Sequence, residues 1–246
     1  AGKTTLSEAM LYTGGAVRKL GRVDKGDAFL DTYELEKKRG ITIFSKQAIL
    51  EWNGMQVTLL DTPGHVDFSA EMERTLQVLD YAVLVISGSD GVQGHTVTLW
   101  RLLAKYRIPT FLFINKMDQP GTERERILKE LKKRLDEGCI DFLGEKEDML
   151  EQIAMTDEDV LESYLESGGV RDEEIIQLII ERKVFPCYFG SALKMSGVEE
   201  FQKGLEIYTA GKSYPEEFGA KVFKIARDEQ GNRLTYMKLT GGSLKV

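Results

Sequence analysis

Four short runs rich in β-branched and aromatic residues recur along this chain: Val57–Leu60, Ala82–Ile86, Thr110–Ile114 and Val184–Phe189. Stretches with helical spacing lie between them, near residues 68–80, 93–106 and 197–208. Strands that read as unbroken apolar runs are strands buried on both faces, and their alternation with helices is the pattern of a parallel α/β sheet. A further helix is expected over Lys3–Tyr12, with Leu6, Ala9 and Met10 on one face and Gly14-Gly15 at its end. Residues 13–40 are glycine- and charge-rich with weak periodicity and read as a long loop. Ile41–Trp52 reads as a strand. Asn53-Gly54 then favours a type I′ hairpin, which makes this strand antiparallel to the next.

Composition narrows the class. The 246 residues suffice for a full core and more than one domain. No apolar run reaches the length of a membrane span, and no signal peptide is visible. Cys139 and Cys187 lie far apart without metal-ligand spacing, as expected of free thiols in a reducing cytoplasm. The net charge of -7 argues against nucleic-acid binding by bulk electrostatics. It is unevenly spread, because residues 120–183 hold 19 acidic and 10 basic residues. The remainder is near neutral, and local basic patches there leave room for an RNA-rich partner.

Three divisions are expected. Residues 1–215 form an α/β domain, residues 120–183 a helical insert within it, and residues 216–246 the truncated start of a β-barrel domain. In the insert, Thr122 with Glu125 suggests a capping box for a helix carrying Ile127, Leu128, Leu131 and Leu135, stopped by Gly138. Thr156 starts a second helix that ends at Gly168-Gly169, and Asp172 caps a third. Its acidic excess reads as a solvated face, with a protein-docking surface as the sharper alternative. After Tyr214-Pro215, Ala220–Ala226 and Leu234–Leu239 alternate about a polar turn.

The residues with chemical potential fall at the ends of the expected strands, where open α/β sheets bind ligands. Ala1-Gly2-Lys3-Thr4-Thr5 before a helix is the second half of a phosphate-binding loop, G-x-x-x-x-G-K-[ST]. Its first half and the strand expected before it are not in the sequence. Gly2 lets the backbone approach phosphate, Lys3 supplies a point charge, and the Thr4 hydroxyl suits magnesium. Asp61-Thr62-Pro63-Gly64-His65 follows a strand: Asp61 suits magnesium through a water, the Gly64 amide suits a terminal phosphate, and His65 a water. Arg39-Gly40-Ile41-Thr42-Ile43 offers Thr42 to the same metal and phosphate. Asn115-Lys116-Met117-Asp118 offers a carboxylate for the N1–H and 2-amino group of guanine, a donor pair adenine lacks. Asn115 would tie this loop to the phosphate loop, and the Lys116 stem would cover the base. Gly190-Ser191-Ala192 can place a backbone N–H on the guanine O6. His95 is expected in a polar loop, solvated.

In this order the motifs resemble those of the translational GTPases, which carry histidine after Asp-Thr-Pro-Gly where Ras-like proteins have glutamine. The resemblance spans nearly the whole chain and narrows to elongation factor G and the tetracycline ribosomal-protection proteins. Gly14-Gly15 through Val23-Asp24-Lys25-Gly26, Ile86 to Gln93 and Ile114 to Gln119 are nearer the protection proteins. Gly190-Ser191-Ala192-Leu193-Lys194 is nearer elongation factor G, and peptide release factor 3 is a weaker match. The resemblance implies an α/β P-loop GTPase fold, doubly wound and mostly parallel, with a helical insert and the beginning of a β-barrel. It implies a cytoplasmic, monomeric enzyme that binds GTP, GDP and Mg2+ and is stimulated by ribosomal RNA and proteins. It gives Gly2, Lys3, Thr4, Thr5, Asp61, Gly64, Asn115, Lys116, Asp118, Ser191, Ala192 and Leu193 to the nucleotide. Thr4, Thr42 and, through water, Asp61 go to magnesium; His65, Lys3 and Gly64 go to hydrolysis; Ile41 is half of an apolar gate. A GTP-gated binding module and an ATP-using P-loop enzyme are the alternatives, and Asp118 speaks against the latter.

Overall fold

A computed structural model describes residues 1–21, 30, 46–62, 69–228 and 230–245. Strand β4 (Thr110–Asn115) is its centre, and every residue in it is buried. Phe111 and Phe113 point to one face, with Leu6 and Met10 of α1 (Lys3–Thr13) and Phe201 of α8 (Val198–Tyr208). Leu112 and Ile114 point to the other, with Trp100 of α3 (Gly94–Lys105) and Ile127 and Leu131 of α4 (Arg124–Arg134). Alternate side chains of one strand thus feed two cores, which is why the run is apolar throughout. The sheet is parallel, in the order β3-β4-β6-β5, with β3 at Ala82–Ser87, β5 at Cys139–Asp141 and β6 at Phe185–Phe189. Helices cover both faces, as a doubly wound sheet requires.

Strands β1 (Lys46–Trp52) and β2 (Met55–Asp61) form the expected antiparallel hairpin, with Trp52 opposite Met55. Asn53 and Gly54 carry φ of 49° and 80°, the paired positive values of a type I′ turn. Ala48 and Leu50 pack with Leu11 of α1 and with Leu30. Helix α2 (Ser69–Leu76) follows, shorter than the 68–80 expected. Its Met72 and Leu76 pack with Ala82, Leu103 and Ile108.

The stretch 120–183 differs from a purely helical insert. Helix α4 packs directly on the sheet, and β5 adds a strand beside β6. Gly138 is needed for that approach: a Cβ there would lie 2.1 Å from the Lys183 carbonyl oxygen. Helices α5 (Lys146–Ala154), α6 (Glu158–Ser167) and α7 (Asp172–Ile180) follow, the first of them unanticipated. Thr122 makes no capping box. Its hydroxyl is turned to the carbonyls of Met117 and Gln119, closing the turn after β4, and Glu123 takes the cap position of α4. Asp157, not Thr156, caps α6 by accepting from the amides of Asp159 and Val160, while Thr156 bonds the Ile153 carbonyl. Gly168 ends α6 in the left-handed conformation, as its position implied. Asp172 is the first residue of α7 rather than its cap, because the Glu174 carboxylate already accepts the Arg171 amide.

Strands β7 (Gly219–Arg227) and β8 (Arg233–Gly241) form an antiparallel ribbon. Asp228 closes its turn by accepting from the amides of Gln230 and Asn232. Lys238 joins the ribbon to the α/β unit through the Val78 carbonyl at 3.0 Å and Asp80 at 2.6 Å.

Candidate functional site

Three loops meet beside the carboxyl end of β4, and one side chain holds them together. Asn115, the last residue of that strand, donates from Nδ2 to the Ala1 carbonyl at 2.9 Å. Its Oδ1 accepts from the Lys116 amide and from the Ala192 amide, each at 2.9 Å. The stretch before α1, the turn after β4 and the loop after β6 are thereby fixed to one another. The Met117 amide donates to the Gly190 carbonyl at 3.0 Å, and Lys116 adopts φ of 65°, so the chain turns sharply out of the strand. Asp118 follows, exposed at the rim. Ser191 is buried; its side chain accepts from the Lys194 amide, and Ala192–Lys194 form one 3-10 turn on which Leu193 is exposed.

Gly2 precedes α1 with φ of 85°. A Cβ there would stand 2.6 Å from Asn115 Nδ2, so conformation and space both call for glycine. No acidic residue occupies the first turn of α1, which leaves its amide end open to an anion. Lys3 stands beside Asp61. Burial lowers the pKa of its ammonium, and the nearby Asp61 carboxylate partly offsets that effect. Thr4 Oγ1 donates to Asp61 Oδ2 at 2.8 Å, so the two oxygens proposed for magnesium converge. Both are hard oxygen donors. Among the described residues no group of three or more His, Cys, Asp or Glu stands ready to cage a metal. Two hard side-chain oxygens 2.8 Å apart fit Mg2+, which keeps several waters and takes few protein ligands. Thr5 lies in the first turn of α1. Thr42 and Ile41, like Gly64 and His65, lie outside the described residues.

Residues 1–211 match the family described as the elongation factor Tu GTP-binding domain. The chain belongs to this family. As a GTP-binding domain it is 36% identical over 273 residues to the tetracycline resistance protein TetP of Clostridium perfringens. It is 36% identical over 264 residues to TetO of Streptococcus mutans, and 36% over 266 residues to TetM from transposon Tn916 of Enterococcus faecalis. Each match takes in 100% of this chain but only 42%, 41% and 41% of the relative, so the chain spans about two-fifths of their length. A crystal structure of a Thermus thermophilus protein superimposes with a TM-score of 0.88 at 26% identity, covering 99% of this chain and 44% of that one. These likenesses put the chain among the translational GTPases, in the group of elongation factor G and the tetracycline-protection proteins.

Within this GTP-binding domain some buried contacts near these loops are not revealed by motif spacing. Glu130 of α4 accepts the Val92 amide at 3.1 Å and clamps the loop after β3. His95 lies in the first turn of α3, half-buried, with Nε2 meeting no hydrogen-bond partner, not in a solvated loop. Glu8 is wholly buried on α1, one turn after Thr4. Its spacing of four from Thr4 puts the two on one helix face, but nothing in that spacing marks Glu8 as buried. Between β2 and β3, which do not pair, lies a cavity of about 490 Å³ bordered by Val57, Leu59, Val83, Val85, Leu6 and Met10, with Ala1 and Lys3 also in its wall.

Proposed function

We propose that this chain is the nucleotide-binding and hydrolytic part of a ribosome-stimulated GTPase, which converts GTP and water to GDP and phosphate. The observation that carries the reading is the Asn115 junction, which sets a phosphate loop and a base loop at one fixed separation. Lys3 and the first amides of α1 bind the β- and γ-phosphates. Asp118 accepts from guanine, the Lys116 stem covers the base face, and the Ser191–Leu193 turn meets the O6 edge. Thr4, Thr42 and, through a water, Asp61 would hold Mg2+, which would supply charge neutralisation at the phosphates. Gly64 approaches the γ-phosphate and His65 orients the attacking water. Catalysis here is positioning and charge stabilisation. The apolar cavity between the unpaired edges of β2 and β3 suits the strand that leads into a complete phosphate loop.

The names of the relatives support a role in tetracycline resistance, and the group they share with elongation factor G supports action on the ribosome. Residues 1–215 would act as the GTPase domain, with the insert beginning near residue 142, and residues 216–246 as part of a β domain. The protein would work as a monomer in the cytoplasm; among the described residues no helix is long and apolar enough to cross a membrane. Calorimetric titration of the full-length protein with GDP, GTP and ATP tests the reading. GTP and GDP should bind at least about 10²-fold tighter than ATP, the worth of two hydrogen bonds to a charged acceptor. Replacing Asp118 by Ala should abolish the preference. ATP binding as tight as GTP would contradict it.

A further inference from the structure

The turn after β4 presents Asp118 at the exposed rim of the site, and the two peptide planes that flank this residue are both held. The Asp118–Gln119 plane is held by the Gln119 amide, which donates to the Lys116 carbonyl at 3.1 Å. The Met117–Asp118 plane is held by a side chain from further along the chain. Thr122 Oγ1 lies 2.9 Å from the Met117 carbonyl oxygen and 2.8 Å from that of Gln119, and its one proton serves both. With both planes fixed, φ and ψ of Asp118 are set, and so is the direction in which its side chain leaves the backbone. The sequence brings the hydroxyl to this place. Pro120 fixes its own φ, and Gly121, with φ of 80°, turns the chain back. The Gly121 carbonyl accepts from Arg126 at 3.1 Å. A Cβ placed on Gly88 would stand 3.4 Å from Thr122 Cγ2, so the threonine methyl rests against the loop after β3. Gly88 in turn donates its amide to the Asn115 carbonyl at 2.7 Å. A β-branched side chain is stiff about χ1, so a methyl seated on Gly88 keeps the hydroxyl aimed at the two carbonyls.

We infer that Thr122 is a positioning residue for base recognition: its hydroxyl sets the backbone of Asp118 and thereby aims the carboxylate at the N1–H and 2-amino group of guanine. This rests on the proposed role of Asp118 as the guanine acceptor. Two parallel hydrogen bonds to one carboxylate depend on its direction, and a rotated carboxylate loses the paired geometry. Phosphate binding by Lys3 and the first turn of α1 makes no demand on Thr122, so the effect falls on the base and on its 2-amino group in particular.

The test compares wild type, Thr122→Val, Thr122→Ser and Thr122→Ala in the full-length protein. The readouts are calorimetric affinities for GDP and for inosine diphosphate, whose base keeps N1–H but lacks the 2-amino group, with the thermal midpoint of each variant. Val keeps the volume and the methyl without the hydroxyl, Ser keeps the hydroxyl, and Ala keeps neither. Wild type should bind GDP at least about tenfold tighter than inosine diphosphate, the scale of one hydrogen bond to a charged acceptor. Thr122→Val should bind GDP about tenfold more weakly than wild type and prefer it over inosine diphosphate by less than about threefold. Thr122→Ser should stay within about threefold of wild type for both ligands. A Thr122→Val protein with a lowered midpoint but the wild-type preference for GDP would show a structural role only and overturn the inference. So would a Thr122→Ser protein as impaired as Thr122→Val. Should Thr122→Val not fold, the preference in Thr122→Ala decides alone: its loss supports the inference and its retention overturns it. A wild type that binds GDP no tighter than inosine diphosphate would instead overturn the underlying reading of Asp118, and the inference with it.

Discussion

Asn115 makes three hydrogen bonds from one side-chain amide, and each reaches a different piece of backbone. An Asn115→Ala change leaves the buried Ala192 amide and the Ala1 carbonyl without their partner. The expected cost is about 2–4 kcal/mol of stability, read by urea unfolding, with GDP affinity reduced at least about tenfold in a calorimetric titration. Much of this is legible in the sequence: the tetrapeptide Asn115–Asp118, which starts on the last residue of β4, gives the residue and its expected link to the stretch before α1. Its bond to Ala192 was not legible, because it spans 77 residues and depends on how β4 and β6 pair. Glu8 was illegible for a different reason. A glutamate in a helix is ordinarily solvated, and only packing shows this one buried.

Among the elements, β4 and β6 were readable because burial on both faces leaves an unbroken apolar run. Val57–Leu60, expected to be a central parallel strand, lies instead in the half-buried β2 and pairs only with β1 among the described residues. The type I′ turn was readable because Asn-Gly is the pair that tolerates two positive φ values. Strand β5 was not, since three residues carry no periodicity, and its place follows from the Gly138 approach to Lys183. Caps depart from their sequence signatures where a side chain has a nearer partner, as with Thr122 and the turn after β4. The reassignment of α4 from insert to sheet cover has a measurable consequence. Leu131 is 0% exposed on that helix, whereas Leu165 on α6 is 76% exposed. Leu131→Ala should lower the unfolding free energy by about 2–5 kcal/mol. Leu165→Ala should change it by less than about 0.5 kcal/mol. Equal losses by urea denaturation would place α4 off the sheet.

Across the whole molecule, Asp80 ties the end of the α2 region to the β7–β8 ribbon. Its carboxylate meets Lys238 at 2.6 Å, Lys212 at 3.2 Å and the Tyr214 hydroxyl at 3.3 Å. Burial alone would raise its pKa, but the hydrogen bonds and charges of Lys238 and Lys212 outweigh that and hold it below its ordinary value of 3.8. A lowered carboxylate pKa contributes stability that is complete above the unfolded value, near pH 4, and lost as pH falls through the folded one. Wild type should therefore lose more thermal midpoint between pH 5 and pH 2 than Asp80→Asn, by a small margin that salt reduces. Parallel loss in both proteins would remove Asp80 from the account. The central claim is hydrolysis of GTP under ribosomal control, and GTP turnover by the full-length protein tests it most directly, with and without ribosomes, for wild type and His65→Ala. Wild type should turn over slowly alone and about 10³–10⁵-fold faster on ribosomes, the range known for partners that complete a GTPase site. His65→Ala should lose most of that stimulation. Equal turnover in all four samples would contradict the account.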